Sequence, residues 1–400
     1  MVASAIENAD AVIVGCGVAG GLLGGRLARD GFRVIVLEKR PQIGVPVRCG
    51  EAAGSRQEIS QFIPIDESWI VAEINAARMY APNLTFVEKR FPGVGVMINR
   101  DEFDQALAGQ AENWGADVRS HHEVTGLRWR DGRVCGVKVK RHTDKTTYDV
   151  DARVTVGADG VESFVGRWAN LTGHLRAKEI HTAAEYLLEG EGFPTDTIEI
   201  YVGRKISPGG YVWVFPKGDR FANVGVGVHP KMAKNGTARD YLHRFVEGHF
   251  PDAKKRRFIA GGVSGTKPLK TMVGDGVLLV GEAGRHNNPF SGGGIMNALE
   301  GAEEAHKVLK IGLERDTLDN EFLRRYDKAW HNRNGQVIHR FALLREFFFK
   351  LDDDDMNRVV SVLDKIVSAR PGKITDYTEV FRAAFKTTPG VLWKARRMLW

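Results

Sequence analysis

Asp10-Ala11-Val12-Ile13-Val14-Gly15-Cys16-Gly17-Val18-Ala19-Gly20 opens a stretch that runs on through Gly24 and Gly31 to Arg33-Val34-Ile35-Val36-Leu37-Glu38. Ala11 to Val14 reads as a buried parallel strand, because no polar residue interrupts it. The strand ends in Gly15-x-Gly17-x-x-Gly20, Gly24 follows one turn into a helix, Gly31 closes that helix, and a second apolar strand stops at Glu38. The glycines serve a tight turn, close backbone approach to a pyrophosphate, and close helix–strand packing. The helix N-terminus offers free N–H groups and the positive end of its dipole to phosphates. Glu38 stands where an acid hydrogen-bonds ribose hydroxyls, which argues against a 2′-phosphate. In this strand–turn–helix–strand setting, Gly15, Gly17, Gly20 and Glu38 form a dinucleotide site.

Working outward, the chain has 400 residues, 43% of them hydrophobic, enough for two or three domains with a packed core. Its formal charge of +7 favours anionic partners such as phosphorylated substrates, acidic proteins or anionic lipid surfaces. The basic residues are dispersed and match no nucleic-acid module, so nucleic-acid binding is not expected. Three scattered cysteines, Cys16, Cys49 and Cys135, suit a reducing cytoplasm and neither a disulfide framework nor a zinc site. No signal peptide or membrane-spanning run is apparent. The expected location is cytoplasmic, with peripheral contact on the inner face of the membrane an open alternative.

After Glu38, the loop Lys39 to Glu51 is shaped by two prolines and two glycines. A loop leaving the second strand runs along a bound dinucleotide, which places Arg48 and Cys49 near its reactive end. Cys49 is read either as a small buried hydrophobe or as a chemical participant. Ala72 to Tyr80 is expected as an edge strand. Asn99 with Glu102 suits a capping box, followed by a helix that buries Phe103, Leu107 and Ala111. Arg100 is badly placed for that helix dipole, which suggests either an outside anion or a solvated arginine. Leu127 to Trp129 and Arg133 to Lys140 alternate as a hairpin around Asp131-Gly132.

Asp151 to Gly157 is a further buried strand ending in Asp159-Gly160. From 180 to 230 the β-rich runs are joined by Gly/Pro turns, the pattern of a mainly antiparallel sheet. Within it, Tyr211, Trp213 and Phe215 alternate and share one face, as core or as the wall of an apolar slot. Gly276 to Gly284 forms a strand ending in Gly281-Glu282, and Ser291-Gly292-Gly293-Gly294-Ile295 then lets backbone N–H groups meet a ligand at a helix start. Asp352 to Asp355 reads as a helix cap and solvated turn in preference to a metal site, and no other metal-ligand spacing is present. The tail, Val391 to Trp400, is aromatic and basic, fit for a bilayer interface or for packing onto the domain or a second copy.

Gly15-x-Gly17-x-x-Gly20 with Glu38, then Asp159-Gly160, then Gly281-Glu282 resemble the FAD-dependent group with the para-hydroxybenzoate hydroxylase-type fold. Pro46-Val47-Arg48-Cys49-Gly50-Glu51, Pro208-x-x-Tyr211-x-Trp213-x-Phe215-Pro216 and Asn288-Pro289-x-Ser291-Gly292-Gly293-Gly294-Ile295 narrow this to a resemblance to the geranylgeranyl reductase family. Within that family the chain most resembles the archaeal branch acting on digeranylgeranylglycerophospholipids.

The resemblance implies an α/β protein: a Rossmann-like FAD-binding domain (1–170, with an insertion at about 55–95, and 266–315) carrying a β-ribbon insertion. An antiparallel-sheet substrate domain (171–265) and a helical C-terminal region (316–400) complete it. The implied FAD contacts include Gly20, Glu38, Arg48, Cys49, Gly50, Ala52, Arg100, Val124, Asp159, Glu282, Gly293, Gly294 and Ile295. Tyr211, Trp213 and Phe215 would line a prenyl slot, and Cys49 becomes the catalytic candidate. Glu282 departs from the usual Asp of the third motif and Gly284 from its usual Ala. The implied reaction is saturation of prenyl C=C bonds by hydride from reduced FAD. Chlorophyll-linked or menaquinone side-chain reduction, or a monooxygenase or halogenase of the same fold, are the alternatives. The electron donor would be a ferredoxin-like protein or NAD(P)H.

Overall fold

The apolar run that opens the chain forms β1 (Ile6–Val14), the glycine turn leads into α1 (Val18–Arg29), and β2 (Val34–Leu37) follows. The computed structural model describes residues 6–368. Next come β3 (Ala52–Ala53), the single-turn α2 (Arg56–Ile59), the long hairpin β4 (Ile70–Tyr80) and β5 (Phe86–Ile98), and α3 (Arg100–Asn113). Three short or ribbon strands, β6 (Asp117–Arg119), β7 (His122–Arg130) and β8 (Arg133–Arg141), precede β9 (Thr147–Gly157) and α4 (Phe164–Trp168). The middle of the chain holds β10 (Ile180–Glu189), β11 (Thr197–Tyr201), β12 (Val212–Pro216), β13 (Phe221–Val228), α5 (Ala238–His249) and β14 (Lys254–Ser264). Short β15 (Val273–Gly274) and β16 (Val277–Leu279) lead to a 3₁₀ turn at Gly281–Gly284. The remainder is helical: α6 (Ile295–Glu314), α7 (Asn320–Trp330), a π turn (His331–Gly335), α8 (Gln336–Phe348) and α9 (Asp353–Ser368).

Two eight-stranded sheets result. The first runs β15-β16-β9-β1-β2-β6, with β8 and then β7 added as a ribbon on β9. Its centre is parallel: Ile13 stands between Val36 of β2 and Val156 of β9, and all three are buried. Strands covered on both faces must be apolar along their length, which is why this part of the sequence is uninterrupted. Helix α1 lies close to the sheet and to α3 because glycine lines both contacts. A Cβ on Gly24 would stand 2.7 Å from Val36 Cγ2, and one on Gly25 would stand 3.0 Å from Ala111 Cα. The expected α3 face, Phe103, Leu107 and Ala111, is the buried one.

The second sheet runs β14-β10-β13-β12-β11-β4-β5-β3. Here one expectation fails. Ala72 to Tyr80 is an interior strand, β4, pairing antiparallel with β5 and parallel with β11 (Ala76 opposite Thr197, Tyr80 opposite Tyr201). Its second partner lies more than a hundred residues away, so local pattern could not reveal it. One face of this sheet buries Val212, Val214, Val224 and Val226 under Tyr241, Leu242, Phe245 and Val246 of α5. On the other, Tyr211, Ile200 and Met79 meet Phe347, Leu351 and Met356 at the α8–α9 corner.

The capping box at Asn99 also fails. Asn99 Oδ1 accepts from Lys217 Nζ (2.6 Å), its Nδ2 donates to Glu102 Oε2 (3.1 Å), and no side-chain bond caps α3. The aspartates at 353–355 occupy the first turn of α9, and Asp352 Oδ1 accepts the Asp355 N–H at 2.9 Å, as a capping role requires. Val391 to Trp400 lies outside the described residues.

Candidate active site

The three glycine-rich motifs converge at the carboxyl ends of β1, β9 and β16. Gly15 has φ +98°, and a Cβ there would stand 2.5 Å from the Ala158 carbonyl oxygen, so the first turn presses on the end of β9. Gly20 is tighter still: its Cβ would sit 2.0 Å from Gly15 O. Gly17 behaves differently, because a Cβ there would meet nothing within 4 Å. Gly15 and Gly20 are therefore glycine for the protein's own packing, while Gly17 borders open space, where a pyrophosphate would lie. No side chain caps α1, whose N-cap is Gly17, or α6, whose N-cap is Gly294. The 3₁₀ turn sits beside the first motif, a Cβ on Gly281 standing 3.1 Å from Ala19 Cβ. Two uncapped helix starts at one place make an anion cradle.

Glu38 ends β2 with its carboxylate against the turn, accepting from Cys16 N–H (3.1 Å) and Arg40 N–H (2.9 Å). Asp159 Oδ2 accepts from Val165 N–H (3.0 Å), whereas Oδ1 is buried without a partner. Burial holds the Asp159 carboxyl above the usual range. Gly160 has φ +78° and, like Gly17, faces open space. Glu282 Oε1 accepts from Ser264 N–H (3.3 Å) in place of an outside group, and burial raises its carboxyl as well. The loop beyond it is folded by Asn288 Oδ1, which accepts from Phe290 N–H (2.9 Å) and Ser291 N–H (3.2 Å), and Ser291 Oγ accepts from Gly293 N–H (3.3 Å). An orphaned acid oxygen, two open glycines and two free helix starts fit an extended dinucleotide. Val124, on β7, is buried in the core of the first sheet, and Ala52 of β3 pairs with Met97 of β5.

The loop after β2 reaches the second sheet through Glu51, a residue that sequence reasoning quoted without singling out. Glu51 is 1% exposed and has φ +70°, a conformation unusual for a side chain of this size. Its Oε1 accepts from Arg100 N–H (2.9 Å), and its Oε2 accepts from Asn223 Nδ2 (2.7 Å) and Lys217 Nζ (2.8 Å). These bonds hold the turn in place. Cys49 Sγ accepts from Glu51 N–H (3.3 Å), and burial pushes the thiol up while Arg100 opposes the shift. Arg100 itself is not a free anion hook: Asp104 holds its Nε and Nη2, each at 2.9 Å. Arg48 is exposed at the loop's edge.

Gly50 brings this loop onto the aromatic strand, where a Cβ would stand 3.1 Å from Phe215 Cε2 and 3.4 Å from Trp213 Nε1. Tyr211, just before β12, and Trp213 and Phe215 within it project to one side, with ring centroids 5.8 and 6.3 Å apart along the series. All three are partly exposed, while the alternate Val212 and Val214 are buried. Tyr211 Oη donates to Ser291 O, tying the slot to the third glycine loop, and burial pushes its hydroxyl up to about 12. Trp213 Nε1 donates to Glu185 Oε2 at 2.8 Å. Glu185, Asn223 and Lys217 were also missed by sequence reasoning. The available signal for Glu185 was a lone acid inside the apolar run Ala183-Ala184-Glu185-Tyr186-Leu187.

A model of the geranylgeranyl reductase catalytic domain matches residues 179–265, the segment from β10 through β14. The digeranylgeranylglycerophospholipid reductase 1 of Methanococcoides burtonii is 36% identical over 394 residues, covering 98% of this chain and 95% of the relative. A geranylgeranyl bacteriochlorophyll reductase-like protein from Thermoplasma acidophilum superposes with a TM-score of 0.91 at 30% identity, covering 98% of this chain and all (100%) of that one. A triple mutant of the flavin-dependent brominase Bmp2 shares the fold alone, with a TM-score of 0.71 at 18% identity over 95% of this chain and 99% of its own. The glycine cradle, the Glu51-braced loop and the aromatic strand thus sit in a chain that belongs to the geranylgeranyl reductase family.

Proposed function

We propose that this protein binds FAD along β1, α1 and the third glycine loop, and saturates C=C bonds in the geranylgeranyl chains of a digeranylgeranylglycerophospholipid. The observation that carries the reading is the contact of Gly50 with Trp213 and Phe215, which joins the end of the cofactor loop to the apolar face. The named relatives support the substrate class. On this reading the units are FAD-binding (1–170 and 266–315), substrate (171–265) and a helical region from 316 onward, described as far as 368, with β3 to β5 joined to the substrate sheet.

Each part of the chain has a task. Gly17 and the starts of α1 and α6 receive phosphate oxygens, and Glu38 receives ribose hydroxyls. Bound and reduced, FAD supplies hydride, which no side chain can do. Tyr211, Trp213 and Phe215 hold the chain against the cofactor loop and exclude water. An apolar chain gains roughly 0.8 kcal/mol per buried CH₂, so few polar anchors are needed. Cys49 sits at the junction as a neutral thiol, and Cys49→Ser is expected to keep FAD while slowing turnover. Basic surface charge suits the phosphate-bearing head and a peripheral stay on an anionic membrane face. Among the described residues, no helix is long and apolar enough to cross a membrane. A ferredoxin-like protein or NAD(P)H would recharge the flavin.

Mass spectrometry of lipids from cells with and without the protein tests the assignment. Saturated diether phospholipid that depends on the protein is expected. Saturated chlorophyll or menaquinone side chains would move the substrate, and an oxygenated or halogenated product would place the protein with the fold's oxygen-using enzymes.

A further inference from the structure

Glu185 is 2% exposed and lies in the middle of β10. It stands opposite Gly225 of β13, and so does Trp213 of β12 from the other side. A Cβ on Gly225 would lie 2.2 Å from Trp213 Cζ2, so only glycine lets the indole lie across that strand. The indole then spans β13 and hands its N–H to Glu185 Oε2 at 2.8 Å. The second oxygen, Oε1, is buried and has no partner. Asn223, two residues along β13 and on the same face, likewise leaves Oδ1 buried and unpartnered. Two buried acceptors on one face without a donor are poorly served by a carboxylate, whereas a neutral acid contributes an O–H of its own.

The charged and titratable groups around Glu185 come from three directions. Glu51 and Cys49 face it from the cofactor loop, Arg257 from β14 and Lys217 from the turn after β12. Burial, aided by the Glu51 charge, outweighs the Trp213 N–H, Arg257 and Lys217, and pushes the Glu185 carboxyl up to about 8. By contrast Glu199, the other buried acid of this sheet, has both oxygens engaged: Arg78 Nη1 (2.9 Å) and Tyr80 Oη (3.2 Å) on one, Tyr201 Oη (2.9 Å) on the other. Glu199 leaves neither oxygen without a donor.

We propose that Glu185 is the acid of the reduction, giving its proton to the alkene carbon that does not receive hydride. The assignment rests on the prenyl-reductase reading above. Bound reduced FAD would supply the hydride to one carbon and be left oxidised, while the π bond breaks and its electron pair forms a C–H bond with the Glu185 proton at the other carbon. Glu185 is left as a carboxylate held by the Trp213 N–H and the nearby cations, and regains its proton from water. Arg257, whose side chain is 36% exposed, marks the side on which water reaches the cluster.

The test pairs a spectroscopic with a kinetic readout on the full chain with FAD, using wild type, Glu185→Gln and Glu185→Asp. Infrared difference spectra of the oxidised protein are expected to show a protonated carboxyl band that is lost as pH rises through about 8 and is absent in Glu185→Gln. Reoxidation of the pre-reduced protein by digeranylgeranylglycerophospholipid without oxygen should slow above that pH in wild type. In Glu185→Gln it should be roughly a hundredfold slower and independent of pH there, with FAD retained; Glu185→Asp should recover part of the rate. A band missing at neutral pH, or Glu185→Gln reacting at the wild-type rate with the wild-type pH profile, overturns the proposal. Failure of wild type to react with the lipid overturns the reading beneath it, and the proposal falls with that reading even where the band titrates as expected.

Discussion

The two sheets meet water and charge in opposite ways. In the first, Ala11, Val12, Ile13, Val34, Ile35, Val36, Val154 and Val156 fill the centre, the buried polar side chain there, Thr155, carries no charge, and glycine shapes the close approaches of α1. In the second, Glu185, Glu199, Thr197 and Asn223 are buried within the strands themselves. Burying an acid costs several kcal/mol unless partners replace water, so such groups persist where they are satisfied or used. On the proposed reading, the first sheet would hold the cofactor mainly through backbone, with Glu38 at the ribose, and the second would place side-chain chemistry beside it. Even within the second sheet the contrast holds, since Glu199 is closed by three donors and Glu185 is left open on one side.

The largest expected effect breaks the first sheet. Gly20→Ala drives a methyl to 2.0 Å from Gly15 O, a backbone atom that cannot move away cheaply. Overpacking of this kind costs on the order of 3 kcal/mol, and loss of FAD together with a lower melting temperature should follow. Gly17→Ala sharpens the point, because its methyl meets no protein atom. The cofactor-free protein should melt as wild type does, while FAD affinity measured by fluorescence titration drops about tenfold, or ~1.4 kcal/mol.

Trp213→Phe comes next: it keeps a ring in the slot but removes the donor to Glu185. Turnover should fall by about tenfold, the equivalent of one hydrogen bond to an ionisable group, with FAD content unchanged in the visible spectrum. The smallest effect is one of stability against pH. The folded state holds the Glu185 proton more tightly than the unfolded chain does, so this group's contribution is full below the ordinary carboxylate range. It is lost progressively as pH rises from there through about 8. Denaturant titrations of Glu185→Gln should show a flatter pH dependence over that window than wild type; parallel curves would contradict a raised acid.

How much of this was legible in the sequence follows the same divide. The glycine turn, Glu38 at the end of β2 and the alternating Tyr211, Trp213 and Phe215 are short-range patterns, and the structure puts them in a strand–helix turn, after a strand and on one strand face. Pairing across sheets is not short-range: β4 lies beside β11 because Ala76 to Tyr80 meet Thr197 to Tyr201, and no periodicity within either segment announces it. The same holds for side-chain partners. Arg100 reads as a cation in search of an anion until the fold turns it onto Asp104, four residues along its own helix. Lys217 takes the Asn99 oxygen that was expected to cap that helix. Glu51 and Glu185 are single acids in otherwise unremarkable stretches, and only the folded chain shows that one braces the cofactor loop while the other faces it.

The central claim is that the aromatic face presents a prenyl double bond to the cofactor cradle. It is tested most directly by mixing anaerobically pre-reduced holoprotein with digeranylgeranylglycerophospholipid, following the visible absorbance of oxidised flavin and weighing the lipid afterwards. The account predicts that oxidised flavin returns without oxygen, with one hydrogen molecule's mass gained by lipid for each flavin oxidised. Flavin that stays reduced until oxygen is admitted, over lipid of unchanged mass, would contradict it.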